Sequence, residues 1–139
     1  MENDFRVDGR VAIITAGAAG IGRAITERWT ALGGSTMIVD WDEGAAEALR
    51  DQVAAAGSQA DFLALDIKDP EAVATIVPRT VERFGTLHAL FNVAGTNIFH
   101  TVEESSEADW ELILDTNVRS VERCSKPAIP MMRAGGGGA

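Results

Sequence analysis

"VAIITAGAAGIGRAITERWTALGG" occupies Val11 to Gly34. Its first segment, Val11–Ala16, is apolar on both faces. That is the pattern of a strand buried inside a parallel sheet, not of one half open to water. A glycine-rich turn follows. Ile21, Ile25 and Trp29 then recur every four residues, with Leu32 three further on, so the stretch predicts an amphipathic helix. Gly33 and Gly34 end it.

The same unit repeats along the chain. Thr36–Asp40 reads as a second strand. Ala45, Ala46, Leu49, Val53 and Ala56 form the next helical stripe, closed by Gly57. Asp61–Asp66 is a third strand. Asp69-Pro70-Glu71 is a helix start, with an N-capping acid and proline at the first helical position. That helix is expected to run to Phe84 and stop at Gly85, with Pro78 as a strained interior position. Leu87–Gly95 is a fourth strand with its turn. Ser106 and Asp109 resemble a capping box. Trp110, Ile113, Leu114, Asn117 and Val121 then share one face of a long helix whose end Pro127 and Pro130 disturb. Strand and helix alternate four times, which predicts an α/β, doubly wound parallel sheet with helices on both faces.

Composition bounds what such a domain does. The 139 residues make one domain, and a 46% hydrophobic fraction supports a packed core. A net charge of −9 argues against nucleic acid and anionic membranes as partners. One cysteine, Cys124, gives neither an intrachain disulfide nor a zinc cluster and suits a cytoplasmic protein. Cys124 reads as a packing residue. His88 and His100 have no partners at ligand spacing, so no metal site is expected. Glu103 and Glu104 read as a solvated loop. The charged start "MENDFRVDGR" has no apolar signal core, and no apolar run is long enough to span a bilayer.

Chemistry is expected where the first strand turns into the first helix. Ligands of doubly wound sheets bind at the carboxyl ends of the strands. A helix N-terminus offers free N–H groups and partial positive charge to a phosphate. "TAGAAGIG" (Thr15–Gly22) supplies Gly17, Gly20 and Gly22 there, so a nucleotide is expected, against the alternative of a plain tight turn. Asp40 ends the second strand, 18 residues after Gly22. An acid at that place accepts the ribose hydroxyls of NAD and repels the extra phosphate of NADP. The alternative is a solvated strand-end acid. Trp41 either flanks the adenine or packs ordinarily. Asn117, polar on an apolar face, is expected to be buried with partners or to hold a proton relay.

These motifs together resemble the N-terminal half of a short-chain dehydrogenase/reductase. That family's cofactor loop reads T-G-x-x-x-G-x-G, matched by Thr15, Gly20 and Gly22 with Ile21 between. Ala16 replaces the first glycine, which is expected to crowd the cofactor or strain the turn, with adjacent Gly17 as relief. Asp66-Ile67 resembles the acid-apolar pair beside the adenine. "NVAG" (Asn92, Val93, Ala94, Gly95) resembles the N-N-A-G motif. "DWELILDTNV" (Asp109–Val118) resembles the helix bearing the tetrad asparagine, here Asn117. The resemblance implies a Rossmann-like sheet, truncated after four strand-helix units. It also implies NAD as cofactor, a small-molecule alcohol or carbonyl substrate, and a homo-oligomer joined through the long helix. Glu122 and Arg123 stand on that helix and are expected to weaken or redirect the contact. A non-catalytic nucleotide-binding module, or an adenosyl-binding methyltransferase, are alternative readings.

The family's remaining tetrad members, Ser, Tyr and Lys, belong to a later strand and helix. This sequence contains no tyrosine. Residues 1–139 are therefore expected to form a partial NAD(P)-binding domain whose glycine-rich tail, 135–139, leads to an absent fifth strand. Such a chain would bind the adenosine side of NAD weakly, turn nothing over, and leave its fourth strand as an unpaired edge.

Overall fold

The computed structural model describes residues 5–139; the first four, part of the charged start, lie outside the described residues. Four parallel strands form one sheet: β1 (Val11–Thr15), β2 (Ser35–Asp40), β3 (Gln59–Ala64) and β4 (Ala89–Phe91), in the order β3-β2-β1-β4. In register, Val11 to Thr15 face Ser35 to Val39, and Ala12 to Ile14 face Ala89 to Phe91. The chain winds outward from β1 to β3 and then crosses to β4. The direction reverses beside β1, and doubly wound sheets open their ligand crevice at that point.

Alternation along the strands builds two cores. Ile13, Met37 and Val39 point to one face, where α3 (Pro70–Ala74), α4 (Ile76–Phe84) and α6 (Ser120–Ala134) cover them with Val73, Ile76, Val77, Cys124, Ala128 and Met132. Ile38 points to the other face, against Ala46, Leu49 and Val53 of α2 (Glu43–Ala55). Ala12 and Ile14 point there too, towards Ile25 and Trp29 of α1 (Gly20–Ala31). Each fully buried Ile, Leu or Met contributes about 1.5–3 kcal/mol, so β1 and β2, with almost no exposed residue, anchor the fold.

Several expectations need correction. On α1 the buried positions are Gly22, Thr26 and Thr30, while Ile21 is 74% exposed. The threonines tolerate burial because their hydroxyls donate to backbone carbonyls, Thr26 to Gly17 at 3.0 Å and Thr30 to Thr26 at 2.9 Å. Ile25 and Trp29 are half-buried at the margin, and Trp29 stacks edge-on against Phe91 at 5.5 Å. The helix expected from Asp69 to Phe84 breaks at Thr75 into α3 and α4. Pro78 thereby falls in the first turn of α4, where its missing N–H costs no helical bond. Asp69 caps α3 as expected, accepting from Glu71 N at 2.9 Å.

The last helical region departs most. It comprises α5 (Glu107–Leu114), a π-helical turn (Asp115–Arg119) and α6, which continues through both Pro127 and Pro130. The Ser106–Asp109 capping box opens α5. The inward face is Thr116, Ser120, Cys124, Ala128 and Met132, not the expected one. Trp110, Leu114 and Val121 are instead exposed, together with Val118 and Ile129. Nor is the β4 edge wholly bare. Ala139 N donates to His88 O at 3.0 Å, and Leu90 N donates to Ala139 O at 2.9 Å, so the glycine-rich tail brings Ala139 alongside β4 as the next parallel partner.

Candidate functional site

A cleft of about 430 Å³ lies over the carboxyl ends of the strands, at the switch point. Ala16 and Ala19 line it from the turn after β1, Asp40 and Trp41 from the end of β2. Asp66, Ile67 and Lys68 line it after β3, and Ala94 and Gly95 after β4. Residues far apart in sequence thus converge because parallel strands end on one side.

The turn after β1 is shaped for close approach. A Cβ on Gly22 would overlap the Ala16 carbonyl oxygen, so α1 packs this closely against the turn only because residue 22 has no side chain. Gly20 adopts φ 50. Helices α2, α3 and α5 each begin with a side-chain cap, from Asp42, Asp69 and Ser106. Helix α1, with Ala19 at its N-cap, has no side-chain cap and no acid in its first turn. Its orphan N–H groups and the positive end of its dipole are left for an anion. This donor set fits a pyrophosphate.

Ala16 has φ 49, the left-handed region, which costs a non-glycine residue roughly 1–2 kcal/mol. The methyl strains the turn, as the substitution implied. Gly17 gives no relief: it takes no positive φ, and a Cβ there would sit 2.7 Å from Ile14 O.

Asp40 is 7% exposed, so it is not a solvated acid. Its Oδ2 accepts from Ala18 N at 3.0 Å and its Oδ1 from Asp42 N at 3.1 Å. Each oxygen retains a second acceptor site, and the residue lines the cleft. Among the described residues no basic side chain neutralises it: Arg23 instead donates to Glu27 on its own helix at 2.9 Å and to Gln52 of α2 at 2.8 Å. Asp66 accepts from Lys68 N at 2.9 Å and pairs with its ammonium at 3.4 Å. Trp41 stands 86% exposed at the cleft, free to cover a flat ring.

Thr15 and Asn117 act one layer away from the open cleft. Thr15 is 1% exposed, and its hydroxyl accepts from Val93 N and Ala94 N, each at 3.0 Å, fixing the turn after β4. Asn117 is exposed rather than buried. Its amide accepts from Thr96 N at 2.7 Å and donates to Thr96 O at 2.9 Å, clamping the segment after Gly95. The π-helical turn presents this residue to that loop. Asn92 is exposed and reaches Ser125 at 3.4 Å, outside the cleft lining. Ile21 likewise stands clear of the lining. Gly17, buried, supports the turn from below.

Two further residues contribute to the site. Asp42 caps α2 and anchors Asp40, and an aspartate directly before a helical stripe is its signal in the sequence. Thr116 lines the cleft beside Asn117, yet its hydroxyl is buried with no partner. Cys124, buried, has its thiol pushed up to about 11 by desolvation, which makes it inert. Among the described residues no three His, Cys, Asp or Glu side chains gather to hold a metal ion, and no helix is long and apolar enough to cross a membrane.

Comparison with known proteins agrees with this geometry. The chain is 32% identical over 133 residues to a 3beta-hydroxysteroid dehydrogenase 2 from Eggerthella lenta, covering 94% of this chain and 51% of that protein. It is 33% identical to a D-threitol dehydrogenase from Mycolicibacterium smegmatis, covering 96% and 52%. A solved short chain dehydrogenase/reductase from Burkholderia phymatum, in complex with NAD, superposes with TM-score 0.87 at 34% identity, covering 92% of this chain and 46% of that one. The chain therefore spans about half the length of the curated relatives it matches. The sequence profile of the short chain dehydrogenase family matches residues 10–139, and the chain belongs to that family of oxidoreductases.

Proposed function

We propose that this chain supplies the adenosine and pyrophosphate side of an NAD site, and that a whole protein of its relatives' length transfers hydride between NAD and a small alcohol or carbonyl compound. The uncapped N-terminus of α1, opening on the cleft beside Asp40, carries this reading. The bound nicotinamide would supply the hydride chemistry. The residues present would bind and orient. The α1 N–H groups hold the pyrophosphate and Asp40 accepts the ribose hydroxyls. Asp66 and Ile67 border the adenine, Trp41 covers it, and Asn117 sets the loop on the nicotinamide side. Asp40 selects NAD over NADP, because like charges about 4 Å apart cost ~1–4 kcal/mol. With no tyrosine in its 139 residues, the chain by itself lacks the proton donor that the family resemblance implies for the substrate oxygen, and it is expected to bind without turnover. Cytoplasmic location and self-association through the exposed α5–α6 face belong to the same reading.

Titration of AMP, NAD and NADP, followed by tryptophan fluorescence, tests it. NAD should quench Trp41, AMP should do so more weakly because it lacks the second phosphate, and NADP should bind about fivefold or more weakly than NAD. Equal NAD and NADP affinities would remove Asp40 from the proposal. No response to AMP or NAD at millimolar concentration would leave the non-catalytic module without a nucleotide.

A further inference from the structure

The turn after β1 holds a residue in a conformation it does not favour. A left-handed alanine persists only where its surroundings over-determine it. Three bonds surround Ala16: Gly17 N donates to Val39 O at 3.3 Å, Gly17 O accepts from Thr26 Oγ1 at 3.0 Å, and Ala18 N donates to Asp40 Oδ2 at 3.0 Å. The first is long. The second ties the turn only to α1, the helix that follows it directly. The third reaches from the turn to a buried side chain on another strand. That side chain is fixed in turn, since Asp40 Oδ1 accepts from Asp42 N and Asp42 caps α2.

We propose that Asp40 is a positioning residue for the turn. Its bond to the Ala18 N–H holds Ala16 in the left-handed conformation, and with it the free N–H groups of α1, before any ligand arrives. A glycine at position 16 would need no such latch, since glycine enters that region freely. The alanine makes the acid necessary to the shape of the site as well as to its recognition. This inference concerns the loop alone and stands whether or not the cleft takes a dinucleotide.

Backbone amide exchange by NMR, without ligand, tests it. The reporter is Gly17 N–H, which bonds to Val39 and not to Asp40. Asp40→Ala should speed Gly17 exchange about tenfold or more while leaving Ile13 and Ile14 unchanged, the sign of local opening. Asp40→Asn, which keeps the side-chain shape and one acceptor oxygen, should give the same pattern at smaller amplitude, and it carries the test if the alanine variant does not fold. Ala16→Gly added to either variant should return Gly17 to within about threefold of wild type. Unchanged Gly17 exchange in both Asp40 variants would overturn the proposal. So would a rise spread equally over Ile13 and Ile14, or one that Ala16→Gly leaves in place.

Discussion

Thr116 sits in the π-helical turn with its hydroxyl buried and unpaired. A buried polar group without a partner costs free energy that an apolar group of the same shape does not. Thr116→Val keeps the β-branched shape and should raise stability by about 1 kcal/mol, read as a higher urea midpoint with unchanged m value. A lower midpoint would mean that the hydroxyl has a partner in solution. Cys124 makes a second prediction. Its thiol ionises near 11 in the fold against an ordinary 9.0, so the native state retains a proton that the unfolded chain releases between those values. The sign follows from linkage: Cys124 contributes nothing to the pH dependence of stability below about pH 9, and stability then falls as pH rises towards 11. Cys124→Ala should remove that part of the slope. The check is the difference in stability between the two proteins at pH 8 and at pH 10.5; a constant difference would refute the burial of the thiol. At this scale the sequence is partly legible. Asp40, Asp66 and Gly22 stood out because their spacing from the strands is written in residue types. The bonds of Asp40 to Ala18 and Asp42 were not readable, because backbone N–H groups carry no residue code.

Elements were legible where one physical signal dominated. Strands β1 and β2 are buried almost end to end, and α2 buries Ala46, Leu49 and Val53 of the stripe that its spacing marks, with Ala45 half-buried and Ala56 exposed at the C-cap. Helix α1 misled because periodicity counts apolar residues, whereas Thr26 and Thr30 bury by bonding their hydroxyls to the backbone. The α5–α6 region misled for a different reason: a π-helical turn shifts the register by one residue, so no single 3.6-residue wheel describes both ends. Arg123, expected beside Glu122 on the outer face, turns inward and donates to Lys68 O at 2.9 Å, tying α6 to the segment after β3. Both interior prolines remain in α6, and each removes a helical bond and crowds the preceding turn. Pro127→Ala should therefore stabilise the protein by up to ~3 kcal/mol, measured by chemical unfolding. No gain would show that the helix is already relaxed around that position.

For the whole molecule, the parallel sheet explains both what is finished and what is open. Strands β1 and β2 have partners on both sides, and Ala139 has begun to pair with the outer edge of β4. The inner face of α6 is packed, but Leu114, Val118 and Val121 recur at three- to four-residue steps along the outer side of α5, the π-helical turn and the start of α6, with exposed Ile129 about two turns further on and Trp110 at the far end. An apolar stripe of this length is a surface that associates. Glu122 and Lys126 flank it as an exposed pair 3.7 Å apart, which keeps the rim polar without covering the stripe. Two copies meeting along it would bury aliphatic side chains against one another and satisfy the geometry of an isologous contact. The expected outcome is concentration-dependent self-association, seen by sedimentation velocity. Val118→Glu together with Ile129→Glu should shift the protein to monomer, because each buried carboxylate would face an apolar partner without compensation. Amide exchange in β1 should stay unchanged, since neither residue touches the core. Monomeric wild type across the accessible concentrations would leave the stripe without a self-partner, and it would then have to be covered by something other than a second copy.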